Sequence, residues 1–224
     1  MAFWQQLYFG WRAFRSPPLL QDYYQRLGPL FSMPLAEVPL VAVDMEMTGL
    51  NPLTDQIISV GLVPIFQQRL QLGDAEHRLV GISGSVGQSA VIHGIVDRHL
   101  EQQVLDQQSL LRWILQQTQG KLMIFHHAPL DLAFLSMLAQ RTVNHPLQFP
   151  VIDTLQIDRH RLLRDRHILP QGSLRLGACR KRYQLPVYAA HNALMDAIAC
   201  GELFLAQTAS IRPTVPISEF LWWP

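Results

Sequence analysis

An α/β layered domain is the fold class that this sequence predicts, and three observations predict it. Apolar, β-branched runs within 39–43, 56–66 and 121–125 read as buried strands. The early strands follow one another closely, as in an antiparallel meander. The later ones alternate with helical patterns, the order of a sheet with helices packed on it.

The chain has 224 residues, 49% hydrophobic and 16% charged, enough for one domain with a sizeable core plus an appendage. Cys179 and Cys200 are the only cysteines and form no CxxC pair, which argues against a disulfide scaffold or a thiolate zinc site. No run of about 18 apolar residues occurs, so no membrane span is expected. The start does not read as a signal peptide, and the cytoplasm is the expected location.

Residues 1–37 hold nine of the twenty aromatics. Tyr8, Trp11 and Phe14 fall near helical spacing until Pro17-Pro18 stops the helix, and a second short helix follows. This aromatic-rich helical extension must cover something: its own domain, a second copy or another protein. The stretch 39–50 comes next, a buried strand that delivers Asp44 and Glu46 two residues apart and breaks at Thr48-Gly49. Residues so spaced share one face of a strand. Two acids there repel each other and are costly to desolvate, so a divalent metal is the natural partner.

Further strands are expected over 56–66 and 76–80. The Gly/Ser-rich loop 81–89 lacks both G-x-G-x-x-G and a P-loop lysine, and reads as a plain connection. Ser109 is the expected N-cap of a helix that turns Leu110, Leu111, Ile114 and Leu115 inward. The strand 121–125 ends at His126-His127-Ala128-Pro129, where Pro129 suits the first turn of a helix carrying Asp131. A short strand ending at Asp153-Thr154 follows. Helices are then expected over 153–164, over 173–184 opened by Ser173, and over 190–208. The last contains His191 and Asp196, an acid among small apolar residues that needs a partner.

Asp44, Glu46, Asp131 and Asp196 thus sit at the ends of buried elements, with His191 beside the last. An all-oxygen donor set suits Mg²⁺ or Mn²⁺ rather than zinc. Four carboxylates exceed what one such ion usually takes, which points to two ions and in-line phosphoryl displacement. His191 is the candidate general base, with His126 and His127 as rivals by position.

The order Asp44-x-Glu46, Asp131, then His191 with Asp196 five residues on, resembles the DEDDh 3′→5′ exonuclease superfamily, which includes the proofreading epsilon subunit of bacterial DNA polymerase III. "VDMEMTGLNP" is similar to D-x-E-T-T-G-L-x-P and "HHAPLDLAFL" to H-N-A-x-F-D-x-x-F-L. "IHGIVDRHL", "VIDTL" and "HNALMDA" follow in the same order. The resemblance spans 38–208. It implies a ribonuclease-H-like fold with a five-stranded mixed sheet flanked by helices, between the extension 1–37 and an apolar tail 209–224.

It further implies that Asp44, Glu46, Asp131 and Asp196 hold two Mg²⁺ or Mn²⁺ ions. His191 would then be the general base that helps release nucleoside 5′-monophosphates from a 3′ end. Met47, Thr48, Leu50 and His127 would contact the terminal nucleotide, although Met47 stands where threonine is usual, His127 where asparagine is, and Leu130 where phenylalanine is.

The expected partner is nucleic acid with a free 3′ end, single-stranded DNA first. A stand-alone DNA exonuclease in repair or end trimming is the leading expectation, with a polymerase's proofreading subunit or an RNA-trimming exoribonuclease as alternatives. Residues 159–182 carry eight cations against Asp165, a net +7 that leaves −6 on the rest, and read as a phosphate track towards the metals. The extension, or the tail with Phe220, Leu221, Trp222 and Trp223, offers a surface to a second copy or another protein.

Overall fold

The computed structural model describes residues 2–81, 104–165, 168–189 and 191–223. The loop 81–89 beyond Gly81 and the motif at 92–100 lie outside them. The extension forms α1 (Ala2–Arg15) and α2 (Pro18–Leu27). The strands are β1 (Leu40–Met47), β2 (Ile57–Phe66), β3 (Arg69–Leu70) and β4 (Glu76–Leu79). After α3 (Gln107–Thr118) come β5 (Leu122–Phe125), α4 (Ala128–Val143), β6 (Val151–Asp153) and α5 (Thr154–Asp165). The chain finishes with α6 (Leu176–Arg182), α7 (Ala193–Thr208) and β7 (Leu221–Trp222).

These strands form one mixed sheet in the order β3-β2-β1-β5-β6-β7, with β4 also paired to β2. β1, β5 and β6 run parallel, while β2 and β7 are antiparallel to their neighbours. The described sheet has seven strands, not five. The two additions are two-residue edges, β3 beside the end of β2 and β7 from the tail.

Three helix starts differ from expectation, α7 opening at Ala193 rather than at 190. Asp106, not Ser109, caps α3, because its carboxylate accepts the Ser109 N–H at 2.7 Å. α6 opens after Arg175 rather than at Ser173.

α7 lies on the face of the sheet that carries Ala42. A Cβ built on Gly201 would meet Leu70 Cδ2 at 2.8 Å and Ala42 Cβ at 3.3 Å, so the missing side chain lets the helix settle onto β1 and β3. The extension packs on its own domain: Phe9, Ala13, Leu20, Tyr23, Tyr24 and Leu27 are buried. The tail folds back as well, with Leu221 and Trp222 paired to Ile152 and Val151. Leu7, Tyr8, Trp11 and Phe14 on α1 face outward. No described helix is long and apolar enough to cross a membrane.

Asp158, on α5, ties three helices together. It accepts from Arg182 Nη2 at 2.6 Å, the Tyr183 hydroxyl at 2.8 Å and Gln207 Nε2 at 2.9 Å. Burial alone would raise its carboxyl, but these bonds outweigh burial and hold it below the usual range. An acid depressed in the fold stabilises above its unfolded pKa and loses that contribution as pH falls through the folded value. Asp158→Ala is therefore expected to cost about 3 kcal/mol at neutral pH. The gap to the parent should narrow below about pH 4, which urea melts at two pH values will measure.

Candidate active site

β1 brings the first two acids. Asp44 pairs with Gly61 of β2 and Glu46 with Ser59, and the register shifts between Glu46 and Met47. Asp196 arrives in the first turn of α7. Gly61 makes that approach close, since a Cβ there would fall 2.3 Å from the backbone of Ala193 and Leu194. A glycine directly opposite Asp44 thus seats the helix start that carries Asp196.

Carboxylate oxygens of Asp44, Glu46 and Asp196 lie within 4.8 Å of one another. Asp131, buried in the first turn of α4, adjoins them without joining that cluster. Burial, then the charges of Asp131, Asp196 and Glu46, push the Asp44 carboxyl well above its ordinary value. Burial and Asp196 raise Glu46 to about 7, and burial raises both Asp131 and Asp196. Hard oxygen donors forced together at this cost fit a divalent cation of the Mg²⁺ or Mn²⁺ kind.

His191 lies in the loop before α7, not on the helix, because Asn192 takes the N-cap and accepts the Met195 N–H at 3.1 Å. His191 holds a left-handed φ of 68°, and its backbone N–H donates to Asp196 Oδ2 at 2.8 Å. With Asp44, Asp196, His127 and Arg175 it lines a cleft of about 1120 Å³.

The rival His126 is committed elsewhere. Its Nδ1 lies 2.8 Å from Thr154 Oγ1 and its Nε2 donates to Leu174 O at 2.9 Å. His127 is exposed to the cleft.

The expected nucleotide contacts divide. Leu50 is 78% exposed, whereas Met47 is buried in the core and offers only its backbone. The Thr48 hydroxyl serves its own turn, donating to Asp55 Oδ1 at 3.3 Å and accepting the Gln56 N–H at 3.0 Å.

The sequence reading gives Asp153 no role of its own. It is buried and accepts the N–H groups of His127, Ala128 and Leu155 at 2.9–3.1 Å, which fixes the starts of α4 and α5. Its place at a strand end inside "VIDTL" was the available signal. The phosphate track is thinner than its charge suggested. Arg161 donates to the Tyr183 hydroxyl, Arg180 to Glu202 and Arg182 to Asp158.

Residues 41–204 match the family profile RNase_T, described as Exonuclease. The chain belongs to that exonuclease family. Its order of acids and histidine is that of the DEDDh type of 3′→5′ exonuclease. DNA polymerase III PolC-type from Thermotoga petrophila is 29% identical over 166 residues, covering 74% of this chain and 11% of the relative. The protein of that description from Ureaplasma parvum serovar 3 is 28% identical over 167 residues, covering 73% and 11%. The exonuclease chain therefore spans about a tenth of the curated relatives it matches.

Among solved structures, E. coli Exonuclease I in complex with a dT13 oligonucleotide aligns with a TM-score of 0.63 at 16% identity, covering 79% of this chain and 42% of that one. Cell-death related nuclease 4 aligns at 0.61 and 14% identity, covering 78% and 64%. Both likenesses show the fold, which is ribonuclease-H-like.

Gly61→Ala is expected to displace the start of α7 in this exonuclease. A stability loss of about 1–3 kcal/mol follows from overpacking. Activity should fall further than stability, because Asp196 moves with the helix. Calorimetry and nucleotide release measured on one preparation will compare the two losses.

Proposed function

We propose that this chain is a metal-dependent 3′→5′ exonuclease that releases nucleoside 5′-monophosphates from a nucleic-acid 3′ end. The observation that carries the reading is the convergence of Asp44, Glu46 and Asp196 within 4.8 Å, at a cleft that His191 also lines. These three, with Asp131, would hold two Mg²⁺ or Mn²⁺ ions, which when bound stabilise charge on the attacking and leaving oxygens. A ring nitrogen of His191 takes the proton from the attacking water. The new bond joins the water oxygen to phosphorus, the bond to the upstream 3′ oxygen breaks with that oxygen keeping the electron pair and taking a proton from solvent, and the terminal nucleotide leaves with its 5′-phosphate. Leu50 and His127 contact that nucleotide through side chains, and Met47 and Thr48 through the backbone.

We take 38–208 as the catalytic unit, 1–37 and 209–224 as its flanks, and the cytoplasm as its location. Single-stranded DNA is the first substrate to try, a choice supported by the likeness to Exonuclease I, whose solved complex contains an oligonucleotide. Trimming of free ends by this chain on its own is the first reading. The PolC-type relatives support a second, proofreading beside a polymerase. The outward α1 face with Leu7, Trp11 and Phe14 is our candidate contact for a second copy or a protein partner.

The test offers DNA and RNA oligonucleotides labelled at the 5′ or the 3′ end, single-stranded or recessed, with Mg²⁺ or Mn²⁺. A 5′ label should shorten stepwise while a 3′ label leaves at once as a mononucleotide. Internal cuts, or a 5′ label lost first, would refute the reading.

A further inference from the structure

A second cavity, of about 520 Å³, lies between α5 and the tail, on the other side of α5 from the catalytic cleft. Leu155 lines the cleft, whereas Gln156, one residue on, lines this groove. The first turn of α5 is thus the wall between them. Asp153, whose carboxylate holds the His127 N–H, closes the inner end.

From there Gln156, His160 and Arg164 recur at helical spacing along one wall, and Arg212 stands on the tail side. Gln156 to Arg164 spans about 12 Å at 1.5 Å per residue. Phe220 and Trp222 supply aromatic surface. Arg161 is already bonded to Tyr183 and Gln207, but Arg164 and Arg212 are exposed and take part in none of the ion pairs among the described side chains. Cations at the rim and aromatic rings in the wall are the pairing that takes a nucleotide, phosphate on the arginines and base on a ring. The volume falls in the range of about 300–1,000 Å³ usual for small-ligand sites.

We propose that this groove is a second nucleotide site, which holds the strand upstream of the 3′ end after it crosses the start of α5. The inference rests on the nuclease reading for its strand and on the groove's own residues for its chemistry. Glu219, the acid on its rim, opposes an anionic ligand and so supplies a variant of opposite sign.

Binding of a 5′-fluorescent oligothymidylate, about twelve nucleotides long, is measured by anisotropy in EDTA, where nothing is cleaved. The double variant Arg164→Ala/Arg212→Ala should bind about tenfold more weakly at low salt. Its log–log salt dependence should be shallower by about 1.4, or 0.7 for each lost phosphate contact. Glu219→Gln should bind two- to threefold more tightly, a gain that misfolding cannot produce.

Arg26→Ala/Arg69→Ala removes equal charge elsewhere and should keep the parental slope. In the metal-loaded enzyme the double variant's loss should fall on KM for the long oligomer, with a dinucleotide too short to reach the groove as reference. A parallel titration with thymidine monophosphate separates two sources of one chemistry: if only that binding is lost, the site serves free nucleotide rather than strand. Parental affinity and slope for both ligands in the double variant would overturn the inference. A parent that releases no mononucleotide would instead strike the nuclease reading.

Discussion

Asp44→Asn is expected to lower mononucleotide release by at least about 10³-fold and, without metal, to raise the melting temperature. Both effects have one cause. Asp44 shares its site with Asp131, Asp196 and Glu46, and its carboxyl is held well above the ordinary range by burial and those charges. The folded chain therefore keeps that proton at pH values where the unfolded chain has lost it. Stability conferred by a raised acid is lost as pH climbs from the ordinary carboxylate range through the folded value. At neutral pH the four acids consequently work against the metal-free fold.

Asparagine keeps the shape and removes the charge, which relieves the repulsion and also removes a metal donor. The parent should gain about 2.7 kcal/mol of stability at a metal concentration one hundred times its Kd, and the variant much less. Thermal melts with EDTA and with Mn²⁺, beside a release assay, measure all three quantities. Parental release by Asp44→Asn would remove the catalytic assignment.

His191→Asn should reduce kcat by about 10²- to 10⁴-fold, the usual worth of a positioned base. Metal-induced stabilisation should persist. The choice of asparagine matters, because residue 191 has a left-handed φ of 68° and its N–H holds Asp196. Alanine in that conformation adds backbone strain that would mimic a chemical effect, whereas asparagine tolerates it. The loop should stay in place and the Asp196 carboxylate should remain oriented. If kcat survives in His191→Asn and falls in His127→Asn, the base is His127.

Much of this was legible in the residues because the physics was local. The run Val41-Ala42-Val43 reads as a buried strand whatever surrounds it, and the spacing of Asp44 and Glu46 puts both on one face. Asp196 stood out as an acid among small apolar neighbours. What could not be read depended on partners distant in sequence. Arg161, Arg180 and Arg182 looked like free cations until Gln207, Glu202 and Asp158 came beside them. Gly61 interrupts an apolar run without a local signal, because the backbone it admits belongs to residues 193 and 194. The start of α3 differs for a narrower reason: Asp106 and Ser109 are close neighbours that could each serve as its cap. Hydrogen-bond geometry chose between them.

The two ends of the polypeptide are buttoned to each other as well as to the body. The Leu35 N–H donates to Val215 O at 2.8 Å and the Ile217 N–H to Met33 O at 3.0 Å, while the Phe9 and Trp223 rings sit 6.1 Å apart. Loosening either end strips the other of these fasteners, so the pair should open as one cooperative unit ahead of the central strands. The Leu35, Ala36 and Ile217 amides, which bond across the two ends, should then exchange at a common rate, and a protease that nicks one end should expose the other.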